Sequence, residues 1–214
     1  MHADSRVEQL ATEARGIVGS AAVWRGSEKD AVDGIVPKLI VEPSDTQTLA
    51  EILVWASERQ QSVLVSGGGT KITWGPVPLK LDLVLSTRHL NAVLNHRHGD
   101  LTVTVEAGAT LTTVNDRLSQ HGQWIPLDPF SDNQATIGGI IATNDAGPRR
   151  HRHGSPRDLI IGVTLARVDG RCTKAGGAVV KNVAGYDLSR LLTGSFGSLA
   201  VILSASFKLA PQPH

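Results

Sequence analysis

Three consecutive glycines, Gly67-Gly68-Gly69, stand directly after a run that reads strand, helix, strand. Lys38 to Val41 is a short apolar strand ending at Glu42-Pro43. Ser44 or Asp45 caps the helix that follows, whose apolar stripe is Leu49, Ile52, Leu53 and Ala56. Ser62 to Val65 is the second strand, so residues 38 to 65 spell the unit that makes a parallel pair. Glycines at the end of such a unit can take positive φ and bring backbone N–H groups close to a ligand. Consecutive N–H groups of this kind make a nest for phosphate oxygens. A plain flexible turn is the other reading of the same residues. Two named phosphate loops are excluded. A P-loop needs Gly-Lys-Ser/Thr, and here Lys71 follows Thr70. A dinucleotide fingerprint needs a third glycine where Ile72 stands and then a helix, which Pro76 and Pro78 oppose.

Around this unit the chain alternates helix and strand signals. Ser5 to Val18 has helical periodicity and stops at Gly19. Leu79 to Leu85 reads as a third strand, with Leu79, Leu81, Leu83 and Leu85 on one face. Asn91 to Asn95 and Leu101 to Glu106 read as strands around His98-Gly99-Asp100. Leu111 to His121 is a helix with Gly122 at C′. Asp158 to Val168 and Arg171 to Ala175 flank Asp169-Gly170, a hairpin signal. Tyr186 to Leu192 reads as a short helix and Leu199 to Leu209 as the last strand. The expected fold class is α+β in two lobes. A small βαβ lobe covers about residues 1–86, and a larger, mostly antiparallel lobe with helices covers about 87–210. Residues 211–214 form a tail.

Composition narrows the function. Lys and Arg number 21 and Asp and Glu 20, so the net charge is +1, which excludes a nucleic-acid binder working through bulk positive charge. With 41% apolar and 19% charged residues the chain is not disordered. Cys172 is the only cysteine, so one chain can form neither a disulfide nor a cysteine zinc site. No run approaches the ~18 apolar residues of a membrane span. The polar, acidic segment Met1 to Glu13 does not read as a signal peptide. The expectation is a soluble protein of a reducing compartment, most simply the cytoplasm. His96/His98 and His151/His153 are i,i+2 pairs without an evident third ligand, so no metal site is expected. Ser195 lies outside a Gly-x-Ser-x-Gly elbow, which leaves hydrolase chemistry without support.

Two further blocks stand out. Thr136 to Asn144 places Gly138-Gly139 inside an apolar segment, for tight helix packing or for a flat ligand lying on backbone. Lys181 to Leu188, followed by Gly194-Ser195-Phe196-Gly197-Ser198-Leu199, holds the single tyrosine, Tyr186, and Asp187 as a helix cap. Taken in order, the three blocks resemble the FAD-binding domain of the vanillyl-alcohol oxidase superfamily, the PCMH-type flavoproteins. Ser66 to Lys71 resembles the pyrophosphate loop of that family. Glu106-Ala107-Gly108-Ala109 through Ile137-Gly138-Gly139 resembles its second block. Val180 to Asp187 with Ser195-Phe196-Gly197 resembles in particular the FAD-binding subunit of bacterial glycolate oxidase. The likeness spans roughly residues 36 to 210.

The resemblance implies a PCMH-type FAD-binding domain and a set of contacts. Val65, Ser66, Gly67, Gly68, Gly69, Thr70 and Lys71 would hold the pyrophosphate. Asp128 and Pro129 with Ile137, Gly138 and Gly139 would line the flavin and ribityl region, and Thr143, Asn144 and Ala146 would continue that wall. Gly197, Ser198, Leu199, Val201 and Ile202 would lie against the dinucleotide. Phe196 stands where many members carry Glu, and Ala200 where glycine is usual. Thr70 stands where some relatives carry a flavin-linking His, which implies non-covalent FAD. The resemblance also implies a flavin-dependent oxidoreductase acting on a 2-hydroxy acid such as glycolate or D-lactate. A non-catalytic FAD-binding or assembly component is the alternative. Other glycolate oxidase subunits, an iron-sulfur subunit among them, would be partners. In the superfamily a substrate domain follows, and here the chain closes at Leu209 to His214 where it would begin. Groups that bind the acid and take its proton are expected there, so no catalytic residue is assigned. The basic run Arg149 to His153 is a solvated loop, or else meets an acidic substrate or a partner at the flavin edge.

Overall fold

The computed structural model describes residues 2–131, 133–177 and 187–213. Helix α1 (His2–Val18) buries Leu10, Ala11 and Ala14. Strands β1 (Val23–Arg25) and β2 (Leu39–Val41) pair antiparallel, with Val23 opposite Val41. Helix α2 (Thr46–Glu58) starts at Asp45, whose carboxylate accepts from Thr48 N at 2.8 Å. That bond satisfies one of the orphan N–H groups of the first turn. The α2 stripe Leu49, Ile52, Leu53 and Ala56 is buried, joined by Trp55. Strands β3 (Val63–Ser66) and β4 (Leu83–Ser86) complete a four-stranded sheet in the order β1-β2-β4-β3.

The strand–helix–strand unit is present, but its two strands are not neighbours. Leu83 faces both Leu39 and Val63, because β4 inserts between β2 and β3 and pairs parallel with each. The alternation expected over Leu79 to Leu85 also breaks. Leu83 and Leu85 face α1 and α2, Leu81 and Val84 join Val32 and Ile40 on the opposite face, and Leu79 is fully exposed. A central parallel strand covered on both faces is apolar throughout rather than alternating, so its leucines carry no single-face signal.

The second lobe is antiparallel. Strands β5 (Val93–Arg97) and β6 (Thr102–Glu106) meet through a 3₁₀ turn at His98–Asp100. Helix α3 (Leu111–Ser119) buries Leu111, Val114 and Leu118, and strand β7 (Gln123–Trp124) follows. Helices α4 (Ile137–Thr143), α5 (Arg150–His153) and α6 (Pro156–Leu159) lead to the hairpin β8 (Ile160–Ala166) and β9 (Cys172–Gly176). Gly170 turns that hairpin with φ 75°. Helix α7 (Leu188–Leu192), capped by Asp187, precedes β10 (Val201–Lys208) and β11 (Ala210–Pro211), which pairs with β7. The five-stranded sheet runs β5-β6-β10-β8-β9. Tyr186 and the run from Val180 lie outside the described residues. Strand β10 serves both cores. Val201 and Leu203 join the cluster of the first lobe, and Ile202, Ala205 and Phe207 that of the second.

Candidate functional site

A cleft of about 270 Å³ opens between the carboxyl end of β3 and helix α4. Ligands of open sheets with parallel strands lie at the carboxyl ends of those strands. β3 is an edge strand, and its Val63, Leu64 and Val65 stay half-buried because they form one wall. The glycine triplet forms the floor. A Cβ on Gly67 would collide with the Thr136 hydroxyl, and one on Gly68 with the Gln134 carbonyl. Gly69 has φ 74°, a conformation that side chains disfavour. These are the properties of a loop whose backbone, not its side chains, faces a ligand. Among the described residues no group accepts a hydrogen bond from the amides of Gly68, Gly69, Thr70 or Lys71. A run of free N–H groups in a concave loop is an anion nest.

Helix α4 forms the facing wall. Its cap Thr136 accepts from Gly139 N at 3.4 Å and also backs Gly67, so one hydroxyl serves the helix and the loop. Gly138 lies on Ala107, where an added Cβ would approach the Ala107 Cβ to 2.9 Å. Gly138-Gly139 therefore packs tightly and also lines the cleft. The loop Gly194 to Gly197 is stitched to the end of α4, with Gly194 N donating to Ile141 O at 3.0 Å and Phe196 N to Ala142 O at 2.8 Å. Gly197, Ser198, Ala200, Val201 and Ile202 close the third side. All three sequence blocks thus meet in one place, as far as the described residues extend.

Among the described residues Lys71 is the cation lining this cleft, and it is buried. Its ammonium lies 3.0 Å from Asp145 Oδ2, donates to Thr70 Oγ1 at 3.1 Å and Phe130 O at 3.3 Å, and sits 5.8 Å from the Trp74 ring centre. Asp145 Oδ2 also accepts from Phe130 N at 2.9 Å. Two buried oxygens near the α4 end, Asn144 Oδ1 and Ser195 Oγ, have no protein partner among the described residues. A floor without side chains and free amides above it fit a flat, phosphate-bearing dinucleotide such as FAD.

The other residues singled out from sequence lie outside the cleft lining. Ile137 is fully buried beneath α4, and Pro129 is buried. Asp128 accepts from Arg149 N at 2.9 Å through Oδ2, while its Oδ1 is buried without a partner. Asn144 caps α4 in the left-handed region at φ 52°. Ala146 is half-buried, and Leu199 is exposed. Sequence reasoning assigned no contact to Ile72, Gly75, Pro76, Thr87 or Thr136, the first residue of the second block, and all of them line the cleft. Only Thr136 carried a usable signal, as a cap three residues before Gly139. Among the described residues no cluster of His, Cys, Asp or Glu is arranged to hold a metal ion, and no helix is long and apolar enough to cross a membrane. In the basic run Arg149 stacks over Trp124 at 4.8 Å.

Known proteins resemble this chain in sequence and in fold. The glycolate oxidase subunit GlcD of Bacillus subtilis is 35% identical over 84% of this chain and 38% of its own length. The D-lactate dehydrogenase of Archaeoglobus fulgidus is 36% identical over 81% of this chain and 39% of its own length. The glycolate oxidase subunit GlcE of Escherichia coli is 36% identical over 79% of this chain and 48% of its own length. The chain therefore spans less than half the length of these relatives. A solved structure of alkyldihydroxyacetonephosphate synthase shares the fold with a TM-score of 0.72 and 23% identity, over 84% of this chain and 33% of that one. The FAD binding domain family matches residues 37–176, the stretch that holds the glycine nest and helix α4, and this chain belongs to that family.

Proposed function

We propose that the chain is the FAD-binding module of a flavin-dependent oxidoreductase acting on a 2-hydroxy acid such as glycolate or D-lactate. It holds FAD without a covalent bond and works in the cytoplasm with further subunits, an iron-sulfur subunit among them. The observation that carries the reading is the side-chain-free floor at Gly67 and Gly68 beneath unpaired amides, facing Gly138-Gly139. The names of the relatives support the substrate class. Ser66 to Lys71 would hold the pyrophosphate. Gly138, Gly139 and Thr143 would lie along the ribityl and flavin portion, and Gly197, Ser198, Val201 and Ile202 along the remaining side. Ile137, Pro129, Asp128, Asn144 and Ala146 would support that wall from behind, with Leu199 at its rim. When bound, FAD supplies the redox step by accepting a hydride equivalent. The residues of this chain bind it, orient it and shield one side from water. Thr70 offers no nucleophilic nitrogen, and its hydroxyl is engaged by Lys71.

The purified chain tests this directly. Flavin absorption bands and saturable FAD uptake are expected, with the colour passing into the supernatant on acid precipitation. A yellow pellet overturns the non-covalent reading, and a chain that takes up no FAD overturns the whole.

A further inference from the structure

Lys71 lies in the phosphate loop and lines the cleft, so direct charge contact with a diphosphate is the role its position suggests. Its surroundings give it a different one. An ammonium has three N–H donors. Three oxygens surround this one: Asp145 Oδ2 at 3.0 Å, Thr70 Oγ1 at 3.1 Å and Phe130 O at 3.3 Å. Trp74 lies along a further side, and the side chain is only 4% exposed. No donor is left over, and the charge is already neutralised by a carboxylate that is itself 9% exposed. Asp145 in turn accepts from Phe130 N. The pair therefore clips together three segments distant in sequence: the nest loop, the chain at Phe130 and the residue after the α4 cap. A few residues beyond Phe130, Gln134 and Thr136 form the surface on which Gly67 and Gly68 rest.

We propose that Lys71 and Asp145 are positioning residues of the anion nest. They hold the amides of Gly68 to Lys71 at a fixed distance from the 130–136 segment, and a diphosphate ligand is bound by neutral N–H groups with no contact to the Lys71 ammonium. This inference rests on the reading of the cleft as the FAD site, and it concerns how the phosphates of that ligand are held.

The test measures FAD and ADP affinity at several salt concentrations for the wild type, D145N and the charge-balanced double variant K71M/D145N. Circular dichroism confirms that each is folded. Positioning predicts weaker binding in D145N and in the double variant, by about tenfold, as for coupled neighbours. It also predicts that the double variant keeps the salt dependence of the wild type, because no ligand contact to a cation has been lost. Direct contact predicts the opposite sign for D145N, since removing the carboxylate frees the ammonium for the ligand and tightens ADP binding. It also predicts a flattened salt dependence in the double variant. Either of those outcomes overturns the inference, as does wild-type affinity in the folded double variant. Should D145N fail to fold, the double variant decides alone, because it leaves no unpaired buried charge. A wild-type chain that binds neither FAD nor ADP overturns the FAD reading itself, a result distinct from any change confined to the variants.

Discussion

Gly68 has no room for a side chain, because a Cβ would run into the carbonyl of Gln134, a rigid backbone atom. Gly68→Val should therefore push the loop away from segment 130–136 and cost FAD affinity at least tenfold, an effect of about 1.4 kcal/mol or more. FAD titration of a variant with an unchanged circular dichroism spectrum checks this, and unaltered affinity would show the loop to be only a turn. Asp82 carries a second residue-scale prediction. Burial pushes its carboxyl up, but Lys38 and Lys80, each 2.6 Å away, and the Ser62 N–H and hydroxyl outweigh that and hold it well below the usual carboxylate range. For a lowered carboxyl the stabilisation is complete above the unfolded value of ~3.9 and is lost as pH falls through the folded value. Asp82→Asn should lower stability at pH 7 by roughly 1–3 kcal/mol, since Ser62 and the two lysines lose a buried charged acceptor. The gap between variant and wild type should narrow at pH 3, as measured by urea unfolding at both pH values. Glycines such as Gly68 were legible in the sequence because a run of them after a strand has few purposes. The Lys71–Asp145 pair was not, because its 74-residue separation is bridged only by tertiary packing.

At the scale of elements, α4 shows how a helix can be set by its neighbour. Its Gly138 faces Ala107, so an added methyl meets the Ala107 Cβ at 2.9 Å and the Ala107 carbonyl at 3.1 Å. Replacing glycine by alanine inside a helix gains about 1 kcal/mol of propensity. Overpacking against a fixed partner costs ~1–3 kcal/mol. The cost wins, so Gly138→Ala should lower the unfolding midpoint, and Ala107→Gly in the same chain should restore part of the loss. Differential scanning calorimetry of the two variants reads both effects, and a stabilised Gly138→Ala would refute the packing argument. Elements with local signals, such as α2 with its Asp45 cap and the Gly170 hairpin, follow from their sequences. The order β2-β4-β3 does not, because which strand inserts between two others is fixed by tertiary packing, with α1 and α2 on one face and the Val32, Ile40, Leu81 and Val84 cluster on the other, and not by any single residue of β4.

The whole molecule has a cleft but covers less than half of each relative described above. Orientation of a substrate against a cofactor can contribute ~7–11 kcal/mol to catalysis, and a positioned base a further ~10²–10⁴-fold. Among the described residues none lining the cleft is a free base, since Lys71 is paired with Asp145. An exposed cation such as those of Arg149 to Arg152 contributes ~0–1 kcal/mol to holding a carboxylate, far short of either effect. The FAD-loaded chain alone should therefore leave its flavin oxidised for minutes with millimolar glycolate or D-lactate under anaerobic conditions. Bleaching within seconds would place a complete active site in these residues.

Strand β10 sets the order in which such a molecule can be built. The ribosome delivers the amino end first, and Val201 to Lys208 follow every other strand of the five-stranded sheet. Until they emerge, β6 and β8 each present an open edge where β10 will lie, and the first lobe lacks Val201 and Leu203. Unpaired edges and uncovered apolar faces are what growing chains stick together by. Neither core is complete before β10 arrives, so the nascent polypeptide stays vulnerable to aggregation until Val201 to Lys208 emerge. A slowing of translation ahead of Val201 prolongs that stage, when a chaperone gripping apolar strands has the most to hold.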